Sequence, residues 1–397
     1  MQKSNKKIIG FNIIEVIIII IITGIVSAIS TGIITVNNFK TSSGHTYSEL
    51  LEDNNIKEFL DVYSDVLSNY YEDVNKEEVI NSAISGMMNY LGDKYTTYLD
   101  DNETDNLNDM LAGKYNGIGI LLNQDLIIQE VFEDSPASIA NLQVGDKIVE
   151  VLGQSTQELQ TENVTSLIKG KVGNINMKVL RGEEVLDINV EVKEINKPAI
   201  NYSIINNNDK NYGYLYIETF SSTVCEQVDT ALKKMEEQNI EGLIIDLRGN
   251  GGGYLVAASD TASLFLEKGK TIYSLETKDK LIEYKDETEE KKNYKIAVLV
   301  DNGTASAAEV LASALKDSYN ATIIGKTTYG KGKVQQTKSL SDGSMVKYTT
   351  ARWLRATGEC VDQVGITPDF EEEIEIIDEN SAIDNQYKKA IEVLSQE

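Results

Sequence analysis

IAVLV (Ile296–Val300), DNGTASAAEVLASAL (Asp301–Leu315), ATIIG (Ala321–Gly325) and KTTYGKGKVQ (Lys326–Gln335) follow one another almost without a break. They read as two strand-to-turn units in series, each an apolar strand followed by a turn that presents one chemically useful side chain, Ser306 and then Lys331. Val310, Leu311, Ala314 and Leu315 have the spacing of a buried helix face, so a helix should begin just after Ser306. A hydroxyl there meets the positive end of the macrodipole and free N–H groups, which favour a developing oxyanion. The same place suits an ordinary N-cap. Lys331 lies between Gly330 and Gly332 beyond a strand, a setting that can aim an amine into a site; without Ser306 it would read as a solvated loop lysine.

Composition narrows the chemistry. The 397 residues are too many for one compact core and predict two or three units. Lys+Arg 37 against Asp+Glu 63 gives a net charge of -26, which repels nucleic acid and anionic lipid headgroups. Cys225 and Cys360 lie far apart with no metal-ligand spacing, so they read as ordinary thiols, and neither a metal nor a cofactor is expected. His45 is the only histidine and is remote from every other candidate, which excludes a Ser-His-Asp triad and a Cys-His pair. A hydrolase built on this chain needs another base.

Near the N-terminus, Lys3, Lys6 and Lys7 precede an apolar run whose uncharged part, Val16 to Val36, has 21 residues, enough to cross a membrane as a helix. The run is longer than a signal-peptide core and lacks a clear cleavage site, so an uncleaved single-pass anchor is expected, with the body extracytoplasmic. Glu15 at its edge completes the string GFNIIE, which resembles the processing site of type IV prepilins; the plainer reading is interfacial placement of the acid. Residues 37–47 are a polar linker. From Ser48 to Leu91 apolar residues recur at three and four, with Asn75 and Glu78 spaced as a capping box at the start of a second helix.

Gly113 to about Val192 breaks into short apolar runs between turns, with one helix from Thr161 to Lys169. YNGIGI, then VFEDSPASIANLQVGDKIVEVLGQ, then that helix, resembles a PDZ domain. Successive amides at Asn116, Gly117, Ile118 and Gly119 could hold a peptide's terminal carboxylate while the adjoining strand edge pairs with its backbone. Beyond it, GYLYIETF reads as a strand, Val224 to Gln238 as a helix, and IIDL as a buried strand leading into Gly249–Gly253 and a helix from Leu255 to Phe265. That loop can bring N–H groups to a ligand, and no G-K-[ST] makes it a phosphate loop. Residues 268–293 are charged and read as a solvated hairpin and loop. Gln335, four residues after Lys331, would lie on the same side and could hold the lysine amine.

The order of helical segment, PDZ domain, DLRGNGGG, NGTASAAE and YGKGKVQ closely resembles the carboxy-terminal processing proteases, also called tail-specific proteases, a family of Ser-Lys peptidases. The similarity covers about residues 50–370, and GDKYTTYL, ARWLRATGE and VGITPD look like further landmarks. It implies Ser306 as nucleophile, Lys331 as general base, Gln335 in support, and backbone oxyanion donors at Gly252 and Ala307. Gly251, where proline is common, and Thr304, where serine is common, remove no needed group. Lys94 to Thr96 replace a more usual Pro-His-Ser run and leave local packing there open.

The expected architecture is an α+β multidomain chain: cytoplasmic stub and transmembrane helix (1–36), linker (37–47), helical segment (48–112), PDZ domain (113–195) and mixed α/β protease core with C-terminal segment (196–397). The expected function is hydrolysis of unstructured or C-terminal protein tails through an acyl-enzyme, the PDZ domain capturing or gating substrate. Arg181 could carry the gating signal or be a solvated hairpin residue. Homo-oligomerisation or an adaptor protein stays open. The rival expectation is a membrane-anchored PDZ scaffold without catalysis.

Overall fold

A computed structural model of the chain describes residues 46–169, 171–289, 291–374 and 384–396. The apolar run, GFNIIE and His45 lie outside them; among the described residues no helix is long and apolar enough to cross a membrane. Contacts divide the chain between Gly86 and Met87.

The described residues of the first unit hold α1 (Tyr47–Glu52), α2 (Asn54–Asn69) and the start of α3 (Lys76–Tyr90). Thr46 and Glu49 form a reciprocal capping box on α1. Asn75 accepts from the Glu77 and Glu78 amides, so the expected second start is found there. None of the residues of α2 is buried.

In the second unit, β1 (Thr97–Leu99) and α4 (Asp101–Ala112) lead into a small β domain: β2 (Lys114–Gly117), β3 (Ile120–Leu122), β4 (Ile128–Val131), α5 (Pro136–Ile139), β5 (Lys147–Val151), β6 (Gln154–Ser155), α6 (Thr161–Lys169), β7 (Gly173–Arg181) and β8 (Glu184–Asn196). One sheet runs β2-β8-β7-β5-β6, and β3-β4 form a separate ladder. Alternate residues of β7 turn inward, Ile175, Met177 and Val179, to meet Val164 and Ile168 of α6 in a core of its own. Arg181 donates to both carboxylate oxygens of buried Asp146 at 2.7 Å and to the Asn141 carbonyl. Partly exposed, as a hairpin arginine should be, it also ties the hairpin end to the turn before β5.

The remainder is built on β9 (Ile200–Asn207), β10 (Lys210–Ile217), α7 (Val224–Glu236), β11 (Ile240–Asp246), α8 (Leu255–Ser263), β12 (Thr271–Thr277), β13 (Leu281–Lys285), β14 (Lys295–Val300), α9 (Ala307–Ala314), β15 (Thr322–Gly325), β16 (Lys333–Ser339), β17 (Met345–Arg355), β18 (Phe370–Glu371) and α10 (Asn385–Ser395). A six-stranded sheet has the order β18-β15-β14-β11-β10-β9, parallel except for β9. Such a sheet must be covered on both faces, and its central strands β11, β14 and β15 are accordingly dominated by buried apolar residues, while β9 and β18 at the two edges are largely exposed. Leu243, Ile245, Val298 and Val300 face α7, α8 and α9, while Ile244, Ala297 and Leu299 face Ala390 and Leu394 of α10.

A second sheet, β1-β17-β12-β13 with β16 beside β17, packs against α9. It corrects two expectations. The segment 48–112 is not wholly helical, because Thr97–Leu99 pair with Met345–Lys347 of β17. The hairpin within 268–293 is not simply solvated: β12 pairs with β17 as well as β13, which buries Ile272, Tyr273 and Ser274.

Candidate active site

Three parallel strands, β11, β14 and β15, end side by side, and the chain leaves each of them at the same edge of the sheet. Ligand sites of open α/β sheets form at the carboxyl ends of the strands. Here those ends deliver the glycine loop Gly249–Gly253, the turn carrying Ser306, and the loop carrying Lys331. The turns are stapled together. Asp301 accepts from the amides of Gly249, Gly303 and Thr304, and the Thr304 hydroxyl donates to the Leu247 carbonyl at 2.8 Å. Asn250, fully buried, donates to the Ile217 carbonyl and takes the Ala305 amide on its own carbonyl.

Ser306 does not adopt the extended backbone of an ordinary N-cap: its φ is 56° and ψ -119°. Non-glycine residues hold such angles only where the surroundings enforce them, and they gather at functional sites. What enforces them is Glu309, wholly buried in the first turn of α9. Its Oε2 accepts from the Ser306 N–H at 2.8 Å and from the Lys331 N–H at 2.9 Å; its Oε1 accepts from the Gly330 N–H at 2.8 Å and the Thr328 hydroxyl at 2.5 Å. One oxygen thus joins the two loops. The other end of Lys331 is held by Trp353, whose indole N–H donates to the Lys331 carbonyl at 2.9 Å. Gly330, at φ 79°, lies against the backbone of residues 361–365, where a side chain would collide.

Burial, followed by the charge of Lys347, pulls the Lys331 amine below the ordinary lysine value, opposed by Tyr329, Glu309 and Asp93. Nearby Asp93 is itself set by competing influences: burial raises it, but hydrogen bonds from Thr349, Lys333 and Thr96 hold it at about 2.

Ser306, Lys331, Gln335 and Gly252 line a single cleft of about 1100 Å³, with Met110 and Trp353 among its walls. Gly252 packs directly against the serine turn; a Cβ there would lie 2.9 Å from the Ala305 oxygen and 2.9 Å from Ser306 Cβ. Its N–H donates to the Asn250 side chain at 2.8 Å. Ala307 opens α9, and among the described residues no acceptor takes its N–H. Gln335 donates to the Thr349 hydroxyl at 3.2 Å rather than to Lys331. The alternation expected from Lys331 to Gln335 fails because β16 begins only at Lys333 and is irregular between Val334 and Gln335.

Family models match this architecture in three places: peptidase family S41 over residues 211–372, the N-terminal domain of the activating protease CtpB over 27–104, and a PDZ domain over 104–180. The carboxy-terminal processing protease CtpA of Bacillus subtilis is 34% identical over 361 residues, covering 90% of this chain and 76% of that one. The chain belongs to peptidase family S41. A probable CtpA-like serine protease of Staphylococcus epidermidis is 32% identical over 88% of this S41 chain and 71% of its own length. A photosystem II D1 C-terminal processing protease superposes with a TM-score of 0.49 at 24% identity, over 81% of this chain and 87% of that one.

In this S41 member the PDZ domain carries a separate groove of about 370 Å³ between β3 and α6. Gly117, Ile118 and Gly119 line it, facing Thr165 and Ile168, whereas Asn116 does not. Met110 and Lys197 line both the groove and the Ser306 cleft, so the two openings adjoin along α4. The residues that sequence reasoning passed over are Glu309, Asn250, Trp353 and Asp93. Ser306 and Glu309 have capping-box spacing, a signal that could have exposed the clamp; nothing in the sequence alone joins Trp353 to Lys331.

Proposed function

We propose that this S41 chain is a serine endopeptidase acting on unstructured or C-terminal protein tails, with Ser306 as nucleophile and Lys331 as general base. The observation that carries the reading is the shared Glu309 oxygen, which fixes a strained serine and a half-buried lysine at one cleft. Neutral Lys331 takes the Ser306 proton, the serine oxygen attacks the scissile carbonyl, and an acyl-enzyme forms as the lysine passes its proton to the leaving amine. Ala307 N–H and the Gly252 amide receive the oxyanion, the latter exchanging its bond to Asn250 for the charged oxygen. Lys331 closes on Ser306 as substrate fills the cleft, and Gln335, anchored on Thr349, steadies the amine.

The groove at Gly117–Gly119 receives the terminal carboxylate of the tail, whose preceding residues pair with the free edge of β3. The run Val16–Val36 anchors the protein in the membrane with the protease body outside the cytoplasm. The test is cleavage of an unstructured polypeptide by the full-length protein in detergent, compared with Ser306→Ala and Lys331→Ala. Cleavage by the parent alone supports the protease; equal cleavage by all three removes it, and none by any leaves a tethered peptide binder.

A further inference from the structure

Lys331 rests on an aromatic ring. Tyr95, in the loop before β1, has the Lys331 ammonium nitrogen 4.9 Å from its ring centroid, and Lys94 Nζ stands 4.8 Å from the same centroid. Lys94 also donates to the Tyr329 hydroxyl at 2.8 Å and lies 4.9 Å from that ring. Among the described residues no hydrogen-bond acceptor takes the Lys331 amine. Two segments distant in sequence, Lys94-Tyr95 and Tyr329-Lys331, therefore meet around this one nitrogen.

We propose that Tyr95 is a positioning residue for Lys331, its ring face seating the ammonium that forms when the amine takes the Ser306 proton. The inference rests on Lys331 being the base. In that step the Ser306 O–H bond breaks as an N–H bond forms on Lys331, and the electron pair left on oxygen bonds the carbonyl carbon. The same proton then passes to the leaving nitrogen as the C–N bond breaks, and the lysine returns neutral. Between the two transfers a positive charge sits in a half-buried place. A ring face attracts an ammonium through its quadrupole but carries no net charge, so it stabilises the charged form weakly. A carboxylate in the same place would favour the ammonium strongly enough to disable the base at neutral pH.

The other groups facing Lys331 are Lys347 from β17, which with burial lowers its proton affinity, and Tyr329 from its own loop, Glu309 from α9 and Asp93 from the loop before β1, which raise it. Lys94 keeps a second cation on the ring, and its hydrogen bond draws the Tyr329 hydroxyl toward the phenolate.

The experiment measures kcat/KM from pH 6 to 10 for the full-length protein on an internally quenched peptide with a free C-terminus. The parent is compared with Tyr95→Phe, Tyr95→Leu and Lys331→Ala, with Tyr95→Met replacing the leucine variant if thermal unfolding shows that one misfolded. Losing the ring removes what favours the ammonium, so the acid limb of Tyr95→Leu should fall by about half a unit and its plateau by about tenfold. Tyr95→Phe, which keeps the face, should hold the parent's midpoint within about 0.2 units. An unmoved or raised midpoint in the leucine variant, or an equal shift in both, overturns the inference. Lys331→Ala should be inactive; if it retains the parent's profile, the base assignment fails, whereas a dead Lys331→Ala beside an unmoved Tyr95→Leu sinks only the role given to the ring.

Discussion

Replacing Glu309 by alanine should separate the serine loop from the lysine loop while leaving both side chains in place. The carboxylate takes four donors, the N–H groups of Ser306, Lys331 and Gly330 and the Thr328 hydroxyl. Hydrogen bonds to a charged group contribute about 1.5–3 kcal/mol each, and water entering the cavity recovers part of the loss, so Glu309→Ala should cost about 4–6 kcal/mol. Glutamine should behave differently. Thr328 already accepts from the Ile366 N–H at 2.7 Å and has a lone pair to spare, so the new NH2 belongs on the Thr328 and Gly330 side. The remaining amide oxygen then keeps Ser306 and Lys331 joined. Glu309→Gln therefore loses one amide bond and the charge, about 2–3 kcal/mol.

Alanine should lower kcat/KM by about 100-fold or more, from misplaced reacting groups, and glutamine by less than about tenfold. Because the carboxylate raises the lysine's proton affinity, its removal in Glu309→Gln should also move the acid limb of kcat/KM to lower pH. Urea unfolding and pH-dependent peptide hydrolysis measure all three quantities. If the alanine variant hydrolyses peptide within tenfold of the parent, the clamp does not organise the site.

Gly252→Ala should fold and lose most activity, since φ is 107° and a methyl group would press on the Ala305 oxygen and Ser306 Cβ; hydrolysis and circular dichroism together check this. Arg181→Ala should leave the Asp146 carboxylate buried without its ion-pair partner, read as loss of peptide binding at lower urea with the hydrolysis-centre residues untouched. Asp93 titrates below its ordinary 3.8, so its contribution is complete above about pH 4 and disappears as the pH falls toward about 2. Asp93→Asn should flatten that part of the stability profile, removing about 1–2 kcal/mol at neutral pH, as acid-titrated unfolding by fluorescence would show.

Much of the fold could be read from the chain because its parallel strands are short apolar runs closed by glycine-rich turns. IIDL, IAVLV and TIIG need no partner to be recognised, and α6 was bounded at Thr161 and Lys169 by its own periodicity. The second sheet was hidden for the opposite reason. β12, β16 and β17 carry charged and polar residues on their exposed faces, and only their mutual pairing explains why Tyr273 and Trp353 are buried. The site divides in the same way. Ser306, Lys331 and the glycine loop announce themselves by residue type and by neighbouring glycines. Gln335 was placed by a strand alternation that an irregularity in β16 interrupts. Glu309 stands at capping-box spacing from Ser306, but its bonds to the lysine loop, like the contacts of Trp353 and Tyr95, cross many residues, which spacing cannot reveal.

The most direct test is the rate at which a fluorophosphonate probe phosphonylates the protein with loss of fluoride, followed by mass spectrometry for the parent, Ser306→Ala and Lys331→Ala. One adduct, on Ser306, with none on Ser306→Ala and a rate at least 100-fold lower in Lys331→Ala, is the predicted result. An adduct on Ser306 that forms equally fast without the lysine amine would contradict the pairing of these two residues.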